Sequence, residues 1–588
     1  MLAIAFLVRY DGLSEKKRHK TAEMTFASAK FRSFLPAATF AMAAEFFMGM
    51  SDSIICGHIL GETGLSAVNL MQGIFEIVTF AGMVVSVGTS VLFATELGAS
   101  HARRARGYFT LGCMLSIAIG LLVAVVIAAV RKPVVAAFGA SSEVSAMTSA
   151  YWVGFLPAAF LQPVAFFLGM VCYTDGDAKL SFLSYIAQLV GNCVLSIPLT
   201  FAFGAMGCAI GTGLGSLFAI AVLVSHFRKK GCMLGFSRHF IIFDIVRIVH
   251  TSFGDASKNI GKAVLMFALN IYVISHFGSE MLPILAVAIM TIGISEIFDG
   301  VANAAQPLAS IYVGEKNVVL TKRVMKVAFL SSVAGSCAIM MMLLLCPDIM
   351  LYLSGIRDVA MIADARMAVR LVSISLPFLA IVLLFNSYYV FISREGLSAA
   401  LTLSALLLAP LMLFPVGGSL GGLHGFMLSL GVAPGIALVV FALYLLVACG
   451  GWRCFPLLLP KAREDELRVF DLQLEPVDIC AASAAVESHL KLKGVDGSRA
   501  TRAALLVEEA LMVVRDHNAG KRIQAEITTD LGNGLSVIIR DDGEIFDITD
   551  SDAQVSSLRG YLVSNLMTVI PRRRNLTTAG FNRNVFKL

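Results

Sequence analysis

Asp52 lies within Gly49-Met-Ser-Asp-Ser-Ile-Ile-Cys-Gly57, deep in an apolar stretch and too far from either end for its short side chain to reach water. A carboxylate at the centre of a membrane helix costs about 2.5–3.5 kcal/mol on insertion scales, so it must face water, find a partner or carry a proton. Four other acids fall in comparable stretches: Glu45, Glu76, Glu296 and Asp299. The last two stand at i and i+3 and share one helix face. An acid in this setting can take a proton from one side of a membrane and release it to the other, and its oxygens also suit sodium. The structural alternative is a carboxyl hydrogen-bonded to a neighbouring helix.

The elements that position these acids are membrane spans. Of the 588 residues, 57% are hydrophobic and 15% charged, against about 25% charged in soluble domains. From roughly residue 34 to 449, apolar runs follow one another, each long enough to cross a bilayer; beyond Lys461 charges recur every few residues. The reading is an all-α polytopic membrane protein, with about twelve transmembrane helices in two six-helix bundles, plus a small soluble α/β C-terminal domain. The predicted domains are a cytoplasmic N-terminal segment (1–33), an N-lobe (34–228), a linker (229–252), a C-lobe (253–450), a second linker (451–466) and a cytoplasmic tail domain (467–588).

Basic clusters at Lys16 to Arg32, Arg103 to Arg106, Arg228 to Lys230 and Lys316 to Arg323 each follow an even number of spans. The positive-inside rule then places both termini in the cytoplasm, with Arg131 and Lys132 as an exception. The apolar run at residues 1–9 is short and precedes the charges, which argues against a cleaved signal. Gly61-Glu62 and Gly278-Ser279-Glu280 open similar stretches in the two halves, as expected for a transporter built from repeats. Gly207, Gly211 and Gly215 recur every fourth residue and would let helix backbones approach closely. The eleven cysteines are never spaced as CxxC, so they indicate neither a metal site nor a disulfide framework.

The stretch from Asp52 through Gly57, Gly61, Gly64 and Leu65-Ser-Ala-Val68 resembles the first two spans of the multidrug and toxic compound extrusion (MATE) family. Gly88-Thr-Ser with Glu96-Leu-Gly, Asp175-Gly176, Asn192, and Gly204 to Thr212 continue the resemblance, and Asn270, Gln306-Pro307 and Gly314 extend it into the second half. It covers roughly residues 34–450. The resemblance implies an N-lobe cation site at Asp52, Asn192, Ser196 and Thr212, with Ser196 replacing an Asp of the family pattern. One carboxylate, one amide and two hydroxyls remain, so a proton on Asp52 is expected at least as much as tight sodium binding. Glu76, Asn270, Glu296 and Asp299 are candidates for the substrate cavity, with Met48, Met50, Met71, Phe75 and Phe80 as an adaptable apolar wall or as ordinary helix packing.

In the tail, alternation and periodicity predict a strand over 467–474, helices over 476–492 and 499–517, strands over 522–529 and 535–540, a helix over 555–569 and a strand ending at Leu588. Leu506 to Val514, Arg540 to Asp547 and Leu558 to Met567 occur in the order of three motifs of histidine-kinase-type ATPase domains. That resemblance implies Glu508 or Glu509 as the water-activating acid, Asp541 as the adenine contact and Gly543 as the turn beside it. Val513 stands where the family holds magnesium with Asn, and Ser557 and Arg559 where it has phosphate-loop glycines, so phosphoryl transfer is not expected.

The expected function is a secondary antiporter of the plasma membrane, exporting small cationic or amphipathic compounds in exchange for H+ or Na+, with a regulatory tail. The tail's expected partners are an adenine nucleotide or a cytoplasmic regulatory protein; no nucleic acid is expected. The alternatives are a membrane-tethered sensor controlling the tail, and a flippase for lipid-linked precursors. No GxxxxGK[ST] loop is present for ATP-driven transport.

Overall fold

The computed structural model describes residues 25–98, 102–175, 177–229, 232, 234–238, 240–392, 394–448, 456–458, 465–532, 534–544, 572–578 and 581–588. Among these, nine helices are long and apolar enough to cross a membrane, or ten if Val359–Ser373 and Leu376–Phe391, bent by 41°, form one span. Two are too long for one crossing. Phe26–Phe93 has 68 residues and Glu395–Ala448 has 54, whereas about 20 suffice. Each is interrupted by glycine in a backbone conformation closed to other residues: Gly61 at φ 72°, ψ −158°, and Gly422 at φ 58°, ψ −143°. The predicted linker 229–252 is shortened, because the next helix already begins at Asp244.

The chain divides into two compact units. One comprises Ala37–Ala302 with Phe329–Phe441, the other Met1–Pro36, Asn303–Ala328 and Ala442–Leu588.

In the first unit, helix Ala178–Phe203 turns at Gly204 into helix Ala205–Val224. The two pack tightly because the second presents a glycine face, as the four-residue spacing predicts. A Cβ on Gly207 would lie 1.9 Å from the Leu199 carbonyl oxygen, and one on Gly211 2.0 Å from Ser196 Oγ. Helix Ser142–Thr174 closes on the same hairpin through Gly154, where a Cβ would meet the Met206 carbonyl oxygen at 2.3 Å. Val68, Met71, Tyr151, Trp152 and Phe155 form the apolar core beside them.

In the second unit, the C-terminal domain is a five-stranded, wholly antiparallel sheet in the order β1-β2-β3-β5-β4. Its strands are β1 (Leu467–Gln473), β2 (Gln524–Asp530), β3 (Ser536–Asp541), β4 (Arg572–Thr578) and β5 (Phe581–Lys587). Helices Pro476–Leu492 and Gly497–His517 lie where periodicity predicts them. β4 was not expected, and the predicted helix 555–569 falls outside the described residues. Alternation sends Ala525, Ile527, Val537 and Ile539 into the core with Ile479, Leu506 and Val507.

The sheet's other face carries a row of charge. Asp471, Glu526, Arg540 and Arg583 stand side by side across β1, β2, β3 and β5. Two acids and then two arginines lie in register, and directly opposed like charges destabilise a sheet. The helical segments of the same unit neutralise the row. Glu315 accepts hydrogen bonds from Arg540 and, at 2.5 Å, from Arg583 Nε. Arg323 pairs with Asp471 at 2.8 Å, and the Phe26 amide donates to the same carboxylate at 3.0 Å. Phe26 packs edge-on against Phe581, and Arg540 lies over the Tyr312 ring.

Candidate functional site

Within the first unit, helices Phe26–Gly98, Ser142–Thr174, Ala178–Phe203 and Ala205–Val224 bring Asp52, Asn192, Ser196 and Thr212 to one buried point. Glycine packing brings them this close, since Ser196 lies against Gly211. The Asp52 carboxyl is enclosed by donors. Oδ2 accepts from Thr212 Oγ1 at 2.5 Å and from the Tyr151 hydroxyl; Oδ1 accepts from Asn192 Nδ2 at 3.1 Å and Ser51 Oγ at 3.4 Å.

Ser196 makes no hydrogen bond to Asp52. Its hydroxyl lies 2.6 Å from Asn192 Oδ1 and 3.0 Å from the Cys208 carbonyl oxygen, and the Asn192 amide NH2 faces Asp52. In this arrangement the groups nearest the Asp52 carboxyl are oriented as hydrogen-bond donors to it. Tyr151 is the site residue that sequence reasoning missed. It stands in an aromatic, apolar run that reads as core, and no spacing rule links it to a carboxylate 99 residues away.

The four cavity candidates separate into two groups. Asn270 accepts from Asn69 Nδ2 at 2.8 Å and donates to the Met266 carbonyl at 2.9 Å, an interhelical polar clasp. Glu296 and Asp299 are matched with lysines: Lys262 Nζ lies 2.5 Å from Glu296 Oε1, and Lys258 Nζ 3.9 Å from Asp299 Oδ2. Glu76 has Lys262, Glu296 and Lys258 as its charged neighbours. The lysines were legible as cations close to an apolar span, but a reading confined to acids passes over them.

In the tail, Asp541 Oδ1 accepts from Asn582 Nδ2 at 2.8 Å and from the Gly543 amide at 3.1 Å. Its buried Oδ2 has no partner among the described residues, and burial pushes the carboxyl up to about 6. A carboxyl with a spare acceptor fits an adenine amino group. A Cβ on Gly543 would lie 2.5 Å from Asn518 Nδ2, so a larger residue there would have to displace that side chain. Glu508 accepts from Cys480 Sγ at 3.7 Å, and Glu509 stands beside it, half-buried. Val513 packs against the apolar core and offers no magnesium ligand. Ser557 and Arg559 lie outside the described residues.

Apolar spans in a multi-helix bundle, with a carboxylate enclosed among four of them, define the class: an α-helical bundle with the spans of a multi-pass membrane protein. Among known proteins, its likeness is to MATE transporters. The MatE family model matches residues 37–202. The multidrug export protein MepA of Staphylococcus aureus is 26% identical over 185 residues, 31% of this chain and 41% of that protein. MepA of Staphylococcus saprophyticus is 23% identical over 196 residues, 33% and 43% respectively. The chain thus aligns with less than half the length of these relatives. Solved structures extend the likeness of fold. An inward-facing multidrug resistance MATE family transporter of the MOP superfamily superposes with a TM-score of 0.62 at 18% identity, over 74% of this chain and 97% of that one. The MATE multidrug transporter DinF-BH, solved as a complex, has a TM-score of 0.62 at 16% identity over 73% and 98%. A MOP superfamily transporter from Pyrococcus furiosus, whose binding pocket is described as reversed in polarity, has a TM-score of 0.59 at 18% identity over 74% and 99%.

Proposed function

We propose that this protein is a secondary antiporter that exports small amphipathic compounds in exchange for protons carried by Asp52. The observation that carries this reading is the donor shell around Asp52: Thr212, Tyr151, Asn192 and Ser51 all donate to one carboxyl. Four donors stabilise the ionised form in an apolar span, and protonation of the carboxyl turns it into a donor itself, so that at least one of these hydrogen bonds must break or reverse. Because the donors come from different helices, the proton's arrival changes how those helices hold together. Sodium is disfavoured by the same shell, in which the Asn192 amide NH2 faces Asp52.

Two further parts of the reading rest on geometry. The breaks at Gly61 and at Gly421-Gly422 divide each long helix into two crossings, which brings the bent pair and the other spans to about twelve. The basic loops then put the tail on the cytoplasmic side of a plasma membrane. The tail acts as a regulator through Glu315, whose carboxylate joins a transmembrane helix end to Arg540 and Arg583 of the sheet. Adenine nucleotide is its ligand at Asp541, bound without magnesium-dependent hydrolysis.

The test is efflux from proteoliposomes under an imposed pH or sodium gradient, with wild type and Asp52→Asn. Asparagine keeps the size and, with one acceptor oxygen and one NH2 donor, mimics the protonated acid, but it cannot release or take up the proton. Efflux driven by the pH gradient should vanish in the variant, with the protein still folded and inserted. Wild-type rates in Asp52→Asn, or transport driven by sodium alone, would overturn the reading.

A further inference from the structure

The second charged group of the membrane unit has no part in the Asp52 site. Helix Asp244–Phe277 supplies Lys258 and Lys262, one turn apart, and Glu296 and Asp299 face them in the opposite order. These make two rungs, Lys262 with Glu296 and Lys258 with Asp299, and Glu76 adds a third acid to two bases.

Three features mark this as a binding site and not an internal staple. Glu296 lies in the 3-10 stretch Ile294–Phe298, near the middle of the span Ser279–Gly314, and a 3-10 stretch inside a long helix often marks a functional position. The Glu296 side chain is 42% exposed while its partner Lys262 is 18% exposed. A carboxylate that open inside a span must look onto water and not lipid. The lysines, finally, set the site apart from one made of acids alone. A monocation that takes Glu296 draws it off Lys262 and leaves that ammonium to Glu76, and an anion that takes Lys262 draws it off Glu296; giving up either half of the pair has a cost. A molecule with both charges replaces both halves at once.

We infer that the Glu76, Lys262 and Glu296 cluster selects dipolar substrates, amphipaths bearing both an ammonium and a carboxylate, with the carboxylate on Lys262 and the ammonium on Glu296 and Glu76. This rests on the exporter reading and specifies its substrate class.

The probe is Nα-dansyl-lysine, whose ε-ammonium and carboxylate make it a zwitterion, beside its methyl ester (a cation) and its Nε-acetyl derivative (an anion). Equilibrium binding to the purified full chain is read by dansyl fluorescence. The zwitterion should bind about tenfold or more tightly than either analogue. Lys262→Met should bring zwitterion and ester together, Glu296→Gln should bring zwitterion and anion together, and Lys262→Arg should keep the preference. Equal binding of zwitterion and ester by wild type, no binding of any of the three, or an unchanged ratio in Lys262→Met would overturn the inference. The wild-type ratio decides even if a variant fails to fold. The same proteoliposomes separate the two readings. Zwitterion binding without gradient-driven movement refutes the exporter and leaves the site, whereas gradient-driven movement of the ester at the zwitterion's rate refutes the site and leaves the exporter.

Discussion

Removing the Glu315 carboxylate should release the tail from the helix end, by an amount the surroundings allow to be worked out. Glu315 is 6% exposed and serves both arginines of the charged row. Leaving one member of a buried pair with nothing costs about 3–5 kcal/mol. Here the loss is partly cushioned, since Arg540 keeps Glu526 Oε1 at 2.6 Å and Thr528 Oγ1 at 3.1 Å, and Arg583 is 16% exposed and can turn to water. We therefore expect Glu315→Ala to weaken docking by about 2–3 kcal/mol, a factor of roughly 30–150 in the opening equilibrium.

The measurement is hydrogen exchange on the full chain over residues 311–321, where the terminal turn bonds Glu315 N to the Ile311 carbonyl and Asn317 N to that of Tyr312. Exchange there should quicken by that factor, while helix Gly497–His517 in the domain core keeps its protection. In the double variant with Arg540→Met the buried cation is gone, so part of the loss should be recovered. Exchange within about twofold of wild type in Glu315→Ala would refute the view that this carboxylate holds the tail.

The same row predicts a dependence on pH. Burial pushes the Glu526 carboxyl from 4.5 up to about 7, outweighing the attraction of Arg540. The folded state therefore holds a proton that the unfolded state releases, so between about pH 4.5 and 7 this group's contribution falls as pH rises, by at most about 3 kcal/mol; tail unfolding in the full chain should need less denaturant at pH 8 than at pH 5, and Glu526→Gln should flatten that slope. Gly207→Ala would drive a methyl to 1.9 Å from the Leu199 carbonyl oxygen, a backbone atom that cannot rotate away. Separation of the hairpin should cost at least about 1–3 kcal/mol and lower the detergent melting temperature, and an unchanged melting point would show that the two helices are held apart by something else.

How much of this was legible in the sequence depended on whether a signal was local. Apolar runs against charged ones separate bilayer from water residue by residue, so the spans and the tail could be read directly. The four-residue glycine spacing foretold a close helix contact because one face of one helix encodes it. Among the described residues of the tail, strands and helices followed from alternation and period, except β4: Arg572 to Thr578 opens with three arginines and Asn, a charged run that resembles a loop until β5 pairs with it. What the sequence did not reveal was pairing at long range. Asp52, Asn192, Ser196 and Thr212 could be named together through a family resemblance, but Tyr151 had no such guide.

The charged residues make the same point in physical terms. An acid in an apolar run announces a cost that something must meet, but the run does not say what meets it. For Asp52 it is hydroxyl and amide donors; for Glu296 it is Lys262, 34 residues earlier; for Glu315 it is two arginines more than 200 residues later. On the reading proposed above, these three solutions suit three uses. Neutral donors would leave Asp52 able to exchange a proton without moving another charge. A lysine would leave Glu296 balanced until a ligand brings charges of its own. Paired arginines in a like-charged sheet row need an acid from outside the sheet, and so make the tail's docking depend on the helix end that carries Glu315.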